Sequence, residues 1–322
     1  MVMPAPSSQL ASLRPDIKEA MMLFNLMLNI ERMIGLKVFP VLEVDKQGGS
    51  FPLIKVESLL KLVETARASG GGYHLAETDF TDGAYATKEN GITIPVDRRN
   101  ANIYSEFQSQ VSTANFARSL VMTNMERRIA AKVFDSVKFA PTDAATAWSD
   151  LENADPIGDV EAGVQRLYDK GIMANALVMS WRRFRNLRNT FQIIDRITAS
   201  GAGTAAKASD ITVQMLAEVF DLQYILVGGA QYNAANEGQP VNLQPIWSDN
   251  YCAVTRVAQA GATLEDACIG RTFHWGGDGS SIDGTIETYF DEDIRGDKVR
   301  YRMETQEQVL YDQACELIDI NP

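Results

Sequence analysis

A single helical pattern, running from Glu106 to Ser136, constrains this sequence more than any other feature. Apolar residues recur along it at the spacing of one helix face. They are Phe107, Val111, Ala114, Val121, Met125, Ile129 and Val133. At 1.5 Å per residue the helix would span about 45 Å, longer than a compact domain needs. Glu126, Arg127 and Lys132 are predicted to lie on its other faces.

The segment before this helix lacks the side chains to build a core of its own. Residues 70–104 are poor in large apolar side chains. Near the end of the segment, three apolar residues alternate with others, namely Ile92, Ile94 and Val96. The dipeptides Asp82-Gly83 and Asn90-Gly91 are typical of hairpin turns. We therefore predict a long two-stranded projection, which something else must cover because an isolated hairpin is marginally stable in water.

Shorter strands and helices are predicted for the rest of the chain. The predicted strands are 37–44, 51–56, 176–179, 223–227, 252–257, 285–290, 298–303 and 314–320. The predicted helices are 17–34, 57–68, 159–170, 181–189 and 213–220. Because strands and helices are mixed without strict βαβ alternation, the sequence predicts an α+β fold.

The composition excludes several classes of protein. The net charge of −12 argues against a sequence-reading nucleic-acid binder and against adhesion to an anionic membrane, but it permits a wall around nucleic acid. Three cysteines without a CxxC pair indicate a reducing compartment and no disulfide framework. The most apolar run, 20–30, is too short to span a bilayer, and no signal peptide is predicted.

The residues of a catalytic or cofactor site are not evident in the sequence. His74 and His274 are the only histidines, and they lack metal-ligand spacing. Gly201, Gly203 and Ala206 match a dinucleotide motif by letter, but the required strand does not precede them. We therefore predict no enzyme activity, no cofactor and no metal.

Two clusters of charged residues are predicted to have structural roles. The acidic cluster at 291–297 is predicted to be a hairpin tip, because Arg295 occupies a position where a calcium loop needs an oxygen donor. The arginines at 182–188 are predicted to form a solvated helix face or an intersubunit salt-bridge patch.

The order of the segments carries a family resemblance. The segments are VFPVLEVDKQGGSFPLIKVESLLKL (38–62), IPVDRRNAN (94–102), MERRIA (125–130), NALVMSWRRFRNL (175–187), ILVGGAQYNAANEG (225–238), IWSDN (246–250) and TFHWGG (272–277). Taken together, this order resembles the major capsid proteins of tailed bacteriophages, from about residue 15 to the end of the chain.

This resemblance implies the Hong Kong-phage capsid fold, which is shared in outline with encapsulins. Residues 1–72 would form an N-terminal arm and residues 73–105 an extended hairpin, the E-loop. The peripheral (P) domain would comprise 106–170 and 282–312, with a long spine helix at 106–136. The axial (A) domain would comprise 171–281 and 313–322.

The resemblance also implies a function and partners. The chain would self-assemble as hexamers and pentamers into an icosahedral shell around double-stranded DNA, with no membrane and no sequence-specific DNA binding. Its partners would be copies of itself, a separate scaffolding protein and a portal. It would be made in the host bacterial cytoplasm and reside in the virion. The alternatives are an encapsulin-like compartment subunit and a nucleotide- or metal-dependent enzyme.

Two groups of residues are predicted to contact neighbouring subunits. The apolar face and base of the hairpin would lie over a neighbour, and a glycine-rich loop would lie near a symmetry axis. The residues are Ile92, Ile94, Arg98 and Arg99 in the first group, and Gly228, Gly229, Tyr232 and Asn233 in the second.

Overall fold

The fold contains two five-stranded sheets, two short ribbons and one long helix. The computed structural model describes residues 29–67, 69–74, 77, 79–97, 106–199, 210–259, 261, 264 and 266–321. The helices are α1 (Gly35–Val38), α2 (Val56–Leu59), α3 (Glu106–Val133), α4 (Pro156–Asp169), α5 (Trp181–Leu187), α6 (Phe191–Ala199) and α7 (Val213–Val219). The strands are β1 (Val41–Val44), β2 (Gly48–Ile54), β3 (Phe80–Ala86), β4 (Lys88–Asp97), β5 (Thr142–Asp143), β6 (Ala176–Ser180), β7 (Tyr224–Gly228), β8 (Gln231–Asn233), β9 (Leu243–Pro245), β10 (Tyr251–Thr255), β11 (Gly270–Trp275), β12 (Thr285–Asp291), β13 (Gly296–Val309) and β14 (Cys315–Asp319).

Helix α3 confirms the long helix predicted from the sequence. It has 28 residues and therefore spans about 42 Å. The predicted apolar stripe is buried from Val111 to Val133 and packs against β13 and β4. The prediction that Glu126 lies on another face is wrong, because its side chain is buried beside the stripe.

The first sheet is organised around β13. Its strand order is β1-β11-β13-β12, and β4 pairs with the opposite edge of β13 along ten residues. Side chains on β13 alternate between the two faces of the sheet. Val299, Tyr301 and Met303 join the core beneath α3. Arg300 and Arg302 lie at the intervening positions, and both form ion pairs with Glu287 of β12.

The hairpin predicted within 73–105 does not form as expected. In the described part of this range, β3 pairs with β2, and β4 pairs with β13. The two dipeptides interpreted as turns lie inside strands. A Cβ at Gly83 would lie 2.5 Å from the Phe51 ring, and one at Gly91 would lie 2.9 Å from Cβ of Arg302. Both glycines therefore permit close approach of a neighbouring strand rather than a turn.

An exposed ribbon is formed instead by β2 and β3, which we call the β2–β3 ribbon. Its strands pair from Gly48 with Ala86 to Ile54 with Phe80. Residues 55–79 connect their far ends and include α2. At the base, the rings of Phe51 and Tyr85 lie 5.2 and 4.9 Å from the ring of Phe273 in β11. These aromatic contacts fix the ribbon to the first sheet.

The second sheet has the strand order β5-β14-β10-β6-β7. Every residue of β6 is buried, as expected for a strand covered on both faces. Asp155 caps the N-terminus of helix α4, because its side chain accepts a hydrogen bond from the backbone N–H of Gly158. The helix packs on β14 and β10. Helices α5 to α7 complete a second core that contains Trp148, Leu177 and Leu216.

The other predicted elements agree with the structure to different degrees. Most strands and helices predicted between 159 and 320 end within three residues of their expected ends, but β13 extends to Val309, six residues beyond the strand predicted at 298–303. The hairpin tip predicted at 291–297 is confirmed, because β12 and β13 pair up to Asp291 and Gly296. Strands β5, β8, β9 and β11 and helix α6 were not predicted. The helix predicted at 57–68 is reduced to α2, and the strand predicted at 37–44 is divided between the end of α1 and β1. Most of the predicted helix at 17–34, and residues 201–206, lie outside the described residues. Among the helices that are described, none is long and apolar enough to cross a membrane.

Candidate self-assembly surface and its support

A group of exposed apolar side chains lies in and directly after the segment that connects the far ends of the β2–β3 ribbon. We call it the apolar tip, and it consists of Leu59, Leu60, Leu62, Tyr73 and Phe80. Each side chain is at least 55% exposed, and Leu62 is 98% exposed. Single exposed apolar residues are common on protein surfaces, but five within 22 residues of one exposed segment indicate an interaction site.

The apolar tip lies beside the end of α4 and beside the segment that follows β13. A Cβ at Gly171, which ends α4 with a φ of +78°, would lie 2.4 Å from Cδ1 of Leu60 and 3.2 Å from Cγ1 of Val56. Leu60 therefore approaches the backbone there while its other side faces solvent. On the ribbon side, the hydroxyl of Tyr311 donates a hydrogen bond of 3.1 Å to the backbone oxygen of Ile54. These contacts give the tip a defined position on the chain.

The predicted contact residues Ile92 and Ile94 lie in β4. Both are half-buried and pack against the core beneath α3. The argument that their apolar face needs a neighbouring copy is therefore wrong, because this chain's own helix covers it. A contact with a second copy through their remaining exposed surface stays a prediction. Arg98 and Arg99 lie outside the described residues.

The predicted glycine pair is packed against its own chain. A Cβ at Gly228, the last residue of β7, would lie 2.2 Å from Cδ1 of Trp247. The backbone N–H of Gly229 donates a hydrogen bond of 3.1 Å to the carbonyl oxygen of Arg32. Gly228 thus leaves room for a buried indole, and Gly229 ties the N-terminal segment to β7.

The other two predicted residues, Tyr232 and Asn233, lie in β8, which forms a second exposed ribbon with β9. The guanidinium of Arg127 on α3 lies 4.3 Å from the centroid of the Tyr232 ring. Asn233 is exposed, and its Oδ1 accepts hydrogen bonds from the backbone N–H groups of Ala235 and Asn242, which orders the connecting loop. A contact of Tyr232 and Asn233 with other subunits stays a prediction.

A buried carboxylate joins three parts of the chain, and sequence reasoning missed it. Glu126 on α3 is 1% exposed. Its oxygens accept hydrogen bonds from the backbone N–H groups of Ile34 and Gly35, at 2.8 and 2.7 Å, and from Nε1 of Trp247, at 2.7 Å. Burial raises the pKa of Glu126, while the three donors act in the opposite direction. The only sequence signal for this junction is an acidic residue directly after Met125 of the buried stripe.

Two curated proteins are similar to this chain in sequence. The first is the major capsid protein of Burkholderia phage BcepMu, 26% identical over 205 residues, or 62% of this chain and 64% of that protein. The chain therefore spans less than two thirds of that relative. The second is the major capsid protein of Pseudomonas phage JBD67, 23% identical over 76% of this chain and 78% of the relative. No protein-family model matches the chain.

Solved structures extend the similarity over nearly the whole chain. A phage-related protein from Bordetella bronchiseptica RB50 superposes with a TM-score of 0.70 at 19% identity, covering 96% of this chain and 97% of that one. The capsid structure of cyanophage P-SCSP1u superposes with a TM-score of 0.55 at 9% identity, covering 88% and 86%. The chain has the fold of phage capsid proteins. The resemblance stated from the sequence, and the α+β class, are thereby confirmed.

The same capsid fold occurs in a protein compartment. An encapsulin complex from Synechococcus elongatus PCC 7942 superposes with a TM-score of 0.50 at 11% identity, covering 94% of this chain and 95% of that one. At this identity the likeness concerns the fold alone.

Ion pairs brace both sheets of the capsid fold. Nε of Arg302 lies 2.9 Å from Glu287, and its guanidinium also contacts Asp278. The Arg128 guanidinium donates two hydrogen bonds to Glu307. On α5, Arg182 pairs with Asp249 of the same chain at 2.8 Å, and the other arginines predicted to form a charged patch are Arg183, Arg185 and Arg188. Of these, Arg183 is buried, so the patch is only partly solvated.

Metal binding and attack by a thiol both depend on how the His, Cys, Asp and Glu side chains of the capsid fold are placed. Among the described residues, no three His, Cys, Asp or Glu side chains are grouped so as to hold a metal ion. All three cysteines are buried, and burial raises the pKa of each thiol. A thiol held protonated in this way is a poor nucleophile.

Proposed function

We propose that this chain is a major capsid protein. In this proposal it self-assembles as hexamers and pentamers into an icosahedral shell that encloses double-stranded DNA. The chain acts as a structural protein and not as an enzyme. The observation that carries the proposal is the agreement of the fold with a phage capsid over 88% of the chain, together with two curated relatives that are major capsid proteins.

The apolar tip supports assembly by contact between copies. The five large side chains of the apolar tip expose apolar area to water, and burial of that area contributes about 25 cal/mol per Å². In a closed symmetric shell every copy of the chain makes the same contacts with its neighbours. A modest contact at the apolar tip therefore recurs many times.

The proposed domains follow the sheets rather than the ranges predicted from the sequence. The E-loop is the β2–β3 ribbon with its apolar tip, residues 48–86. The P domain comprises α3 and the first sheet, and the A domain comprises the second sheet and helices α4 to α7. This assignment moves 142–170 to the A domain and 270–275 to the P domain, because β5 pairs with β14 and β11 pairs with β13.

The proposal also includes assembly partners and a location for the protein. A separate scaffolding protein and a portal take part in assembly, the virion is the final location, and the host cytoplasm is the place of synthesis. The net charge of −12 suits a wall around DNA. An acidic surface cannot neutralise DNA phosphates, so it does not bind the DNA tightly at any particular sequence.

Electron microscopy and light scattering of the purified full-length chain test this proposal. We expect closed shells for the wild-type chain and loss of shells for Leu62→Asp at the apolar tip. Val137→Asp is the matched control, because Val137 is 94% exposed but lies outside the tip, and it should still assemble. A wild-type chain that stays monomeric when concentrated, both alone and with the proposed scaffolding protein, would overturn the proposal. Equal assembly of the two variants would show that the apolar tip is not needed for shell formation.

An encapsulin-like compartment is the second candidate, because the capsid fold also matches an encapsulin complex over 94% of this chain. The two functions differ in what the shell contains. Nucleic acid inside particles from the native source, with terminase and portal genes nearby, supports the capsid. A packaged enzyme encoded beside this chain supports the compartment.

A further inference from the structure

Helix α5 and the residue that follows it are strongly basic. They carry four arginines and no carboxylate, namely Arg182, Arg183, Arg185 and Arg188. The stretch without Asp or Glu extends from 170 to 194, although the chain as a whole has 42 acidic residues and a net charge of −12. The charge of this region is therefore opposite in sign to that of the whole protein.

Two of the four arginines are already held by the chain's own Asp249. Nη1 of Arg182 lies 2.8 Å from Oδ2 of Asp249, and Nε of the buried Arg183 donates a hydrogen bond to the backbone oxygen of the same residue. Arg185 and Arg188 differ, because neither forms an ion pair with a described carboxylate. In the part of the chain that the structure describes, the buried Nε of Arg188 also has no hydrogen-bond partner. Their positive charges are therefore available to a ligand.

Stacking on aromatic rings fixes the positions of these two arginines. The guanidinium of Arg185 lies 5.5 Å from the ring centroid of Trp181, and that of Arg188 lies 5.6 Å from the ring centroid of Phe184. Such cation–π contacts hold a guanidinium without using its N–H donors. Arg185 is exposed and Arg188 is half-buried, and their spacing of three residues places them on one side of α5. The two guanidinium groups thus form a fixed pair of positive charges at the surface.

The surroundings of this pair favour phosphate over a protein partner. A stable protein interface needs a buried apolar centre. Trp181 is the one large apolar side chain that α5 exposes, and Arg185 stacks on its ring. The planar guanidinium fork matches phosphate oxygens, which accept two parallel hydrogen bonds. Double-stranded DNA carries one negative charge per about 1.7 Å of helix axis, so a fixed pair of arginines meets phosphates at many positions along it.

We propose that Arg185 and Arg188 bind backbone phosphates of double-stranded DNA. This inference rests on the proposed function, because the capsid shell brings DNA to the protein. Contacts to phosphate carry no sequence information, so the binding is independent of base sequence. The acidic remainder of the chain keeps each contact weak, while the same two contacts recur on every copy of a symmetric shell. In this arrangement α5 faces the interior of the shell.

Fluorescence anisotropy with a short labelled DNA duplex tests the contact on dissociated full-length subunits. The variant Arg185→Gln/Arg188→Gln removes both charges. We expect it to bind about tenfold more weakly at low salt. The slope of log K against log salt concentration should fall in magnitude by about 1.8, since each phosphate contact contributes about 0.9. Lys37→Gln/Lys46→Gln is the matched control, because both lysines are exposed, lie outside α5 and carry the same charge, and it should bind as wild type does.

Arg185→Gln alone is a second variant that leaves the packing of Arg188 unchanged. Because Arg185 is exposed, this variant should keep the wild-type circular dichroism spectrum, and the slope should fall by about 0.9. Equal binding by the arginine and lysine variants, or no binding by wild type at low salt, overturns the inference. A loss of shells in the double arginine variant with unchanged DNA binding also overturns it, because the arginines then contact another copy.

Electron microscopy of the wild-type chain separates this inference from the proposed function. Shells that form from a chain without measurable DNA binding remove the inference and leave the proposed function standing. DNA binding by a chain that forms no shells, either alone or with the scaffolding protein, overturns the proposed function and leaves the phosphate contacts standing.

Discussion

The buried carboxylate of Glu126 offers the sharpest test of how this fold is held together. Glu126→Gln keeps the shape of the side chain but replaces one acceptor oxygen with an NH₂ group. If the amide oxygen keeps the bonds to Ile34 and Trp247, the NH₂ group faces the N–H of Gly35. In the wild-type chain that nitrogen lies 2.7 Å from Oε2 of Glu126. Gly35 is buried, so its N–H then has no acceptor.

The expected loss follows from these contacts. An unpaired buried donor costs about 1–3 kcal/mol, and each of the two remaining bonds loses about 1 kcal/mol when the acceptor is no longer charged. Removal of a buried charge offsets part of this sum, since burial opposes ionisation of Glu126. We therefore expect the free energy of unfolding to fall by about 2–3 kcal/mol in Glu126→Gln.

Urea denaturation of dissociated subunits, followed by circular dichroism, measures this change. Glu218→Gln is the control, because Glu218 is exposed on α7 and should shift stability by less than about 0.5 kcal/mol. A double-mutant cycle with Trp247→Phe should give a coupling energy of about 1 kcal/mol, since the two side chains share a hydrogen bond. A Glu126→Gln subunit as stable as wild type would refute the reasoning.

Two further predictions concern buried positions. Gly228→Ala should lower the free energy of unfolding by about 1–3 kcal/mol, because the new Cβ meets the buried ring of Trp247. Gly229→Ala should be nearly neutral, because the nearest atom to its new Cβ is 3.4 Å away. Urea denaturation of both variants checks this difference. His274 is 3% exposed, and burial lowers its pKa below the usual 6.5. The unfolded chain therefore binds this proton more readily, so stability is lost as pH falls through about 6.5, and His274→Gln should reduce that loss in thermal melts between pH 5 and 8. An unchanged pH profile in His274→Gln would contradict this assignment.

The long helix and the second sheet could be predicted because their signals are local. Helix α3 has an apolar stripe with a helical period that is interrupted at Arg118. Strand β6 is a short apolar run, so its burial on both faces could be predicted without knowing the neighbouring strands. The fold class and the family resemblance followed from such segments and from their order along the chain.

Strand pairing could not be predicted, because it depends on contacts between distant residues. Gly83 follows Asp and Gly91 follows Asn, as is typical of hairpin turns. In the fold, however, a glycine is needed at each position because a neighbouring strand approaches closely, with Phe51 of β2 beside Gly83 and Arg302 of β13 beside Gly91. The same limit applies to Glu126, whose partners lie 91 to 121 residues away. The apolar tip was missed because its leucines were assigned to a helix at 57–68.

The late position of β13 has a consequence for synthesis of the chain. Strands β4, β11 and β12 all pair with residues 296–309, and β5 and β10 pair with β14, which follows. During synthesis, these strands cannot complete their hydrogen bonding until β13 and β14 have left the ribosome. A nascent polypeptide therefore cannot complete the first sheet before residue 309 emerges or the second before residue 319, and termination near residue 295 would leave unpaired edges that favour aggregation.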